Sequence, residues 1–274
     1  MKHLLFILCL VPSLSAASAQ ENYPWGHQLL SLHCRLVPAG PLPEAWRLYV
    51  GAEYIHEASL PVYGVQRTLV KPALFGFYYR SSEGTLCIDG AWEALYHSEA
   101  GHAFAWDPGD LRLYTTVNLL KTAPLLSLRF GTKLPNAPNN FPRDQLPLNG
   151  GLSGAGTDNT DFALYLLLSQ PFGPFVVDGN CGLLILGSPT GYSEQLDVYY
   201  TAAGIRYAWG GFLAGLETDL SFGPRRFDDA REVAVRLEYV FNGFFIGLRQ
   251  GFGLNASTDD IQSRLYIGRK SGRP

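Results

Sequence analysis

Leu111-Arg112-Leu113-Tyr114-Thr115-Thr116-Val117-Asn118-Leu119 is the stretch that decides the fold. Its odd positions carry leucine, threonine and valine, while Arg112, Tyr114, Thr116 and Asn118 hold the even ones. A period of two puts each set on its own face of a β-strand. The pattern returns where Val233, Val235, Leu237, Tyr239 and Phe241 interleave with Ala234, Arg236, Glu238 and Val240. From about residue 45 onward such stretches run for ten to thirteen residues. Transmembrane strands need about 9–11 residues, whereas strands of soluble domains usually have about 5–6. The length therefore points to an all-β chain that closes into an antiparallel transmembrane β-barrel.

Composition agrees. Hydrophobic residues make up 47% of the chain and charged ones only 16%, against about 25% charged in soluble domains. Residues 20–274 contain no apolar run near eighteen residues, so no membrane helix is available. An apolar outer face needs none if the other face encloses water or protein. Residues 1–19 read as an export signal, with Lys2, the apolar Leu4 to Leu14, and Ala17-Ser18-Ala19 before a cut at Gln20. Loss of Lys2 takes the net charge from −3 to −4, too mild to indicate nucleic acid or an anionic surface. Outer-membrane lipid and small solutes are the expected partners, and the cell outer membrane the expected location.

Twelve wall strands are legible near 45–56, 65–80, 85–97, 110–120, 124–133, 160–170, 175–187, 196–208, 211–222, 230–241, 243–252 and 260–268. Tight turns at 81–84, 121–123, 171–174, 209–211 and 242–243 alternate with longer connections at 57–64, 98–109, 134–159, 188–195, 223–229 and 253–259. Short turns on the periplasmic side and long loops outside are the layout of outer-membrane barrels. A thirteenth alternating segment, 26–37, breaks the even count and is expected in the periplasmic mouth or lumen. The chain thus divides into a signal peptide (1–19), an N-terminal segment (20–44), the barrel (45–268) and a tail (269–274). Pro72 interrupts the second strand and marks a bulge or a late start. Trp46, Trp92, Tyr239 and Phe241 are expected in the aromatic girdles.

The inward set carries the charge. Counted from the turn centres, Glu217, Arg236, Arg249 and Arg264 fall at similar heights on four successive strands, with Glu238 and Asp219 one inward step away. Asp89, Glu93, Arg112 and Arg129 lie on the opposite wall, and Arg47 and Glu53 beside the closure. These twelve residues are the candidate pore lining. Two readings fit them: a salt-bridge network that fills the lumen, or a charged constriction that selects solutes by size and sign. Twelve strands lie between the filled eight-strand barrel and the open sixteen-strand one, so strand number does not choose. The connection 134–159 is long enough to be functional, either folded into the mouth or mobile at the surface.

Gly131-Thr132-Lys133-Leu134-Pro135, a variable stretch, Gly154-Ala155-Gly156-Thr157-Asp158 and the preceding Pro108-Gly109-Asp110 form a recurring signature. Over residues 108–170 the chain resembles exported bacterial barrels named after the phenol meta-cleavage pathway, and related outer-membrane families of unknown function. The resemblance implies an outer-membrane barrel, uptake of aromatic or other hydrophobic compounds, and no catalytic residue. The insert here is longer and richer in proline and asparagine than the simple Pro-Thr-Gly turn of that pattern.

Enzymatic readings have thin support. Ser31 and His33 share a face, but two residues apart on a strand they give no oriented triad. His97, His102 and Asp107 could gather in one loop as a metal site, yet no zinc, phosphate-loop or nucleophile-elbow motif is present, and no cofactor is expected. Cys34, Cys87 and Cys181 remain after export and are expected as buried or lipid-facing thiols; a Cys34–Cys87 bridge would need the N-terminal segment to fold against the barrel base. The expectation is a passive channel for small solutes, against a plugged, non-conducting barrel as the alternative and a lipid hydrolase as a distant third.

Overall fold

In the computed structural model the described residues are 36–40, 45–60, 65–99, 105–107, 110–134, 160–186, 196–222, 231–255 and 261–271. The expected leader, residues 20–35 and residues 135–159 lie outside them. Thirteen strands follow one another: β1 (Trp46–Leu60), β2 (Val65–Arg80), β3 (Leu86–Glu99), β4 (Ala105–Asp107), β5 (Leu111–Leu120), β6 (Leu125–Leu134) and β7 (Asp161–Phe172). Then come β8 (Phe175–Leu186), β9 (Leu196–Trp209), β10 (Phe212–Phe222), β11 (Arg231–Phe241), β12 (Phe244–Gly253) and β13 (Ile261–Lys270).

Every pairing is antiparallel, and the ring closes where β1 meets β13, from Arg47 opposite Lys270 to His56 opposite Ile261. Along one edge of β3, residues 86–92 pair with β5 and residues 95–97 with β4. Strands β4 and β5 together fill one wall position, so the closed barrel has twelve. The expected 98–109 connection is therefore partly wall, because Ala105–Asp107 finds a free stretch of β3 edge. The expected 57–64 loop is shorter too, since Leu60 still pairs with Val65. At the other end β13 runs past residue 268 to Lys270, because Arg269 and Lys270 keep partners in Leu48 and Arg47.

Pro72 has no N–H to offer a ladder. The chain absorbs this with a bulge, and the register slips between Lys71 and Leu74 against β1 and between Val70 and Ala73 against β3. The tightest hairpin needs its residues: Asn242 and Gly243 both take positive φ, at 47° and 78°, as a twist-matched two-residue turn requires.

Alternation becomes two surfaces. On β7, Phe162, Leu164, Leu166 and Leu168 are exposed outward, while Asp161, Ala163, Tyr165, Leu167 and Ser169 are buried inward. Leu216, Val235, Leu248 and Leu265 continue the apolar band around the seam side. Aromatic side chains crowd its turn-side rim, where Trp46, Phe172, Trp209, Tyr239, Phe241 and Phe244 stand exposed. Trp92 lies midway along the long β3, opposite Phe75 and opposite Leu111, the first residue of β5. No described helix is long and apolar enough to cross a membrane; here strands do so.

Leu216 is half exposed on this band, between Ile205 and Val235. Leu216→Arg should destabilise the barrel by about 2–4 kcal/mol, as for a cation near the bilayer midplane, measured by reversible urea unfolding in lipid vesicles.

Candidate functional site

The inner face carries one continuous row across the seam. Arg236 stands opposite Arg249, Arg249 opposite Arg264, and Arg264 opposite Glu53. Glu217 does not share that height. It pairs with Ala234, one inward step farther from the turns, because tilted strands stagger their turns around a barrel.

Three adjacent guanidiniums would repel, so carboxylates are set among them. Arg249 donates to Glu217 at 3.2 Å, to Asp219 at 3.1 Å and to the Gln262 oxygen at 2.9 Å. It also lies 2.6 Å from Glu232. Arg264 forks onto Glu53 at 3.0 and 3.1 Å, the planar two-point contact that suits a guanidinium and a carboxylate. Arg236 reaches Glu238 at 3.4 Å and donates to the Tyr266 oxygen at 3.2 Å. Arg47 lies 3.7 Å from Glu238 and stacks over Phe245.

Across the lumen Arg129 meets Asp89 at 2.5 Å and covers the Tyr114 ring at 4.2 Å. Arg112 is buried on the same inner face. Glu93 sits on β3 opposite Leu74, with its side chain outside the described residues. Other members were not singled out from sequence. Lys133 is fully buried between Asp161 at 2.6 Å and Asp110 at 3.6 Å, and Arg206 grips Asp178. Their inward parity was readable from the alternation, but Asp110, Asp161 and Lys133 stand near strand ends, where parity is easily lost.

One inner sector is apolar instead. Ala163, Tyr165, Leu167, Leu184, Val198, Tyr200 and Ala202 form a cluster on β7–β9, and Leu36 and Ala39 from the N-terminal segment pack into it. Two serine relays seat this segment. The Ala39 N–H donates to Ser169 Oγ at 2.8 Å, and Ser169 donates to Asp178 at 2.5 Å. The Gly40 N–H donates to Ser127 Oγ at 2.9 Å, and Ser127 donates to Asn118 at 2.8 Å. Residues 36–40 thus occupy part of the lumen. A cavity of about 320 Å³ remains beside them, lined from both walls, and a second of about 160 Å³ lies against Glu217, Arg249 and Tyr266.

The space survives because the large inward rings lie flat. Tyr49 faces Gly76, Tyr114 faces Gly131, Tyr165 faces Gly182 and Tyr266 faces Gly247, each pair directly cross-strand. A Cβ on any of these glycines would come within 2.1 to 2.5 Å of the facing ring. Glycine is what lets each ring rest on the wall, the cross-strand pairing that supports weak edges in sheets.

Among the described residues no group of three His, Cys, Asp or Glu could hold a metal. His102 and the Ser31–His33 pair lie outside the described residues. Cys87 is a buried free thiol that receives the Tyr78 hydroxyl at 3.1 Å; Cys34, its candidate partner, is also outside them.

No family model matches the chain, and no curated protein does. Solved structures do. An outer membrane channel from Pseudomonas putida F1 superposes with a TM-score of 0.62 at 13% identity, over 86% of this chain and 97% of that one. The NanC porin gives 0.52 at 11% identity, over 82% and 99%. At such identities the likeness is one of fold: the chain is built as a closed β-barrel like those of these outer-membrane proteins.

Arg249→Met should cost about 3–5 kcal/mol, because three buried carboxylates lose their common cation; urea midpoints in vesicles report it. Gly247→Ala should cost about 1–3 kcal/mol by overpacking, and should also swing Tyr266 off the wall, seen as lost Tyr266–Arg236 proximity in a crystal structure of the variant.

Proposed function

We propose that this protein is an outer-membrane channel, exported by residues 1–19, that passes small solutes by diffusion. The observation that carries the reading is the cavity of about 320 Å³ left between two walls of charged and aromatic side chains. A barrel filled for stability alone has no use for such space, since interiors otherwise pack densely. The pathway is lined by Arg47, Glu53, Asp89, Glu93, Arg112 and Arg129 with Glu217, Asp219, Arg236, Glu238, Arg249 and Arg264. Membership of the phenol meta-cleavage barrels, and loop 134–159 as an outer gate, belong to the same proposal. Support for them comes from the motifs of residues 108–170.

The seated N-terminal segment favours one competing reading, a plugged barrel without conduction. Planar-bilayer recordings separate the two. The intact protein should give small, discrete current steps, and removal of residues 20–40 should enlarge them severalfold. Ser127→Ala with Ser169→Ala, which removes both seats, should give intermediate or flickering steps. A silent intact barrel that conducts only after removal of residues 20–40 would favour the plugged reading, and silence from both would overturn the channel.

A further inference from the structure

We infer that the larger cavity binds a small organic monoanion: a carboxylate attached to a flat apolar body. This rests on the channel reading and specifies its solute. Among the described residues, six guanidiniums line the cavity, those of Arg47, Arg112, Arg129, Arg206, Arg236 and Arg264, against two carboxylates, Asp89 and Glu238.

The imbalance comes from the way the ion pairs are oriented. In the Arg206–Asp178 pair the arginine side chain is 19% exposed and the aspartate 0%. The same holds for Arg264 at 11% against Glu53 at 0%, and Arg236 at 27% against Glu217 at 3%. Arg129–Asp89 runs the other way, with the acid more exposed, as do Arg249–Asp219 and Arg249–Glu232 outside this cavity. In the first three pairs the acid is the more deeply buried partner and the guanidinium is the one that borders the cavity. A fork contact to one carboxylate uses two of five N–H donors; Arg206 spends two on Asp178 and its side chain still borders the cavity. A rigid guanidinium in that position recognises a second carboxylate by charge and by shape.

The rest of the lining is aromatic. Tyr49, Tyr114, Tyr165 and Tyr200 border the same cavity, and the first three are laid flat by their glycine partners. Arg129 covers the Tyr114 ring, so Tyr49 and Tyr165 are the flat rings left to a planar body, and the volume is at the lower end of the range for small-molecule sites, about 300–1,000 Å³. Such a lining disfavours inorganic cations and gives a neutral hydrocarbon nothing to neutralise the guanidiniums.

Benzoate and benzamide, alike in shape and different in charge, are the probes. Isothermal titration of the purified full-length barrel in detergent at low salt should show benzoate binding about tenfold or more tighter than benzamide, as one to two charge-assisted hydrogen bonds require. Replacing the pair together, Arg206→Gln with Asp178→Asn, keeps hydrogen-bonding capacity while removing both charges, and should reduce that preference severalfold. Arg236→Gln should do the same from the other wall; heat-modifiable gel migration confirms that each barrel is folded. Equal affinity for the two probes, binding of neither, or a preference untouched in both folded variants would overturn the assignment. Current without anion preference would overturn it while leaving the channel reading intact. Benzoate binding by a barrel that stays silent after removal of residues 20–40 would support the site and sink the channel.

Discussion

In hydrocarbon an unpaired backbone N–H or C=O costs several kcal/mol, so the outer edges of the first and last strands cannot be left bare. They meet each other. Ten consecutive residue pairs join β1 to β13, from Arg47–Lys270 to His56–Ile261. Once that seam closes, each strand has an inside and an outside, and period two sorts the side chains. The outside is free to be apolar because nothing polar in the backbone remains exposed to lipid. The inside must then find partners for every charge it carries.

How the inside meets that demand explains its division. Over β7–β9 the inner positions are mostly apolar, and the polypeptide supplies its own cover in Leu36 and Ala39. Around the seam they are charged, and Arg249 gathers Glu217, Asp219 and Glu232 around one cation. A lumen filled by one device alone would be either an apolar core or a rigid ionic lattice. Using both leaves room between them, and the tyrosine–glycine pairs keep that room from being closed by rings. The seated segment is also linked to the charged lining, since Asp178 takes both Ser169 and Arg206.

Function enters through the order of these layers. At Arg206–Asp178, Arg264–Glu53 and Arg236–Glu217 the acid is the more buried partner, so the guanidinium is the charge nearer the cavity. Net charge cannot reveal this, because the chain as a whole is slightly acidic. The sign seen by a solute is decided by which partner of each pair stands nearer the water.

The sequence by itself determined the barrel, its strand count, the alternation of turns and loops, and which parity faces inward. Each follows from local rules: period two, strand length, and the turn chemistry of residues such as Asn242 and Gly243. Even the bulge at Pro72 was legible, since a missing N–H is a local fact. Only the tertiary structure decided height and partnership. Glu217 sits one step off the arginine row because strand tilt, a property of the closed ring, staggers the turns from which height was counted. The pairing of Arg206 with Asp178, the seat of residues 36–40, and the rings laid on Gly76, Gly131, Gly182 and Gly247 all depend on cross-strand register. Register is a relation between segments, and no single segment contains it.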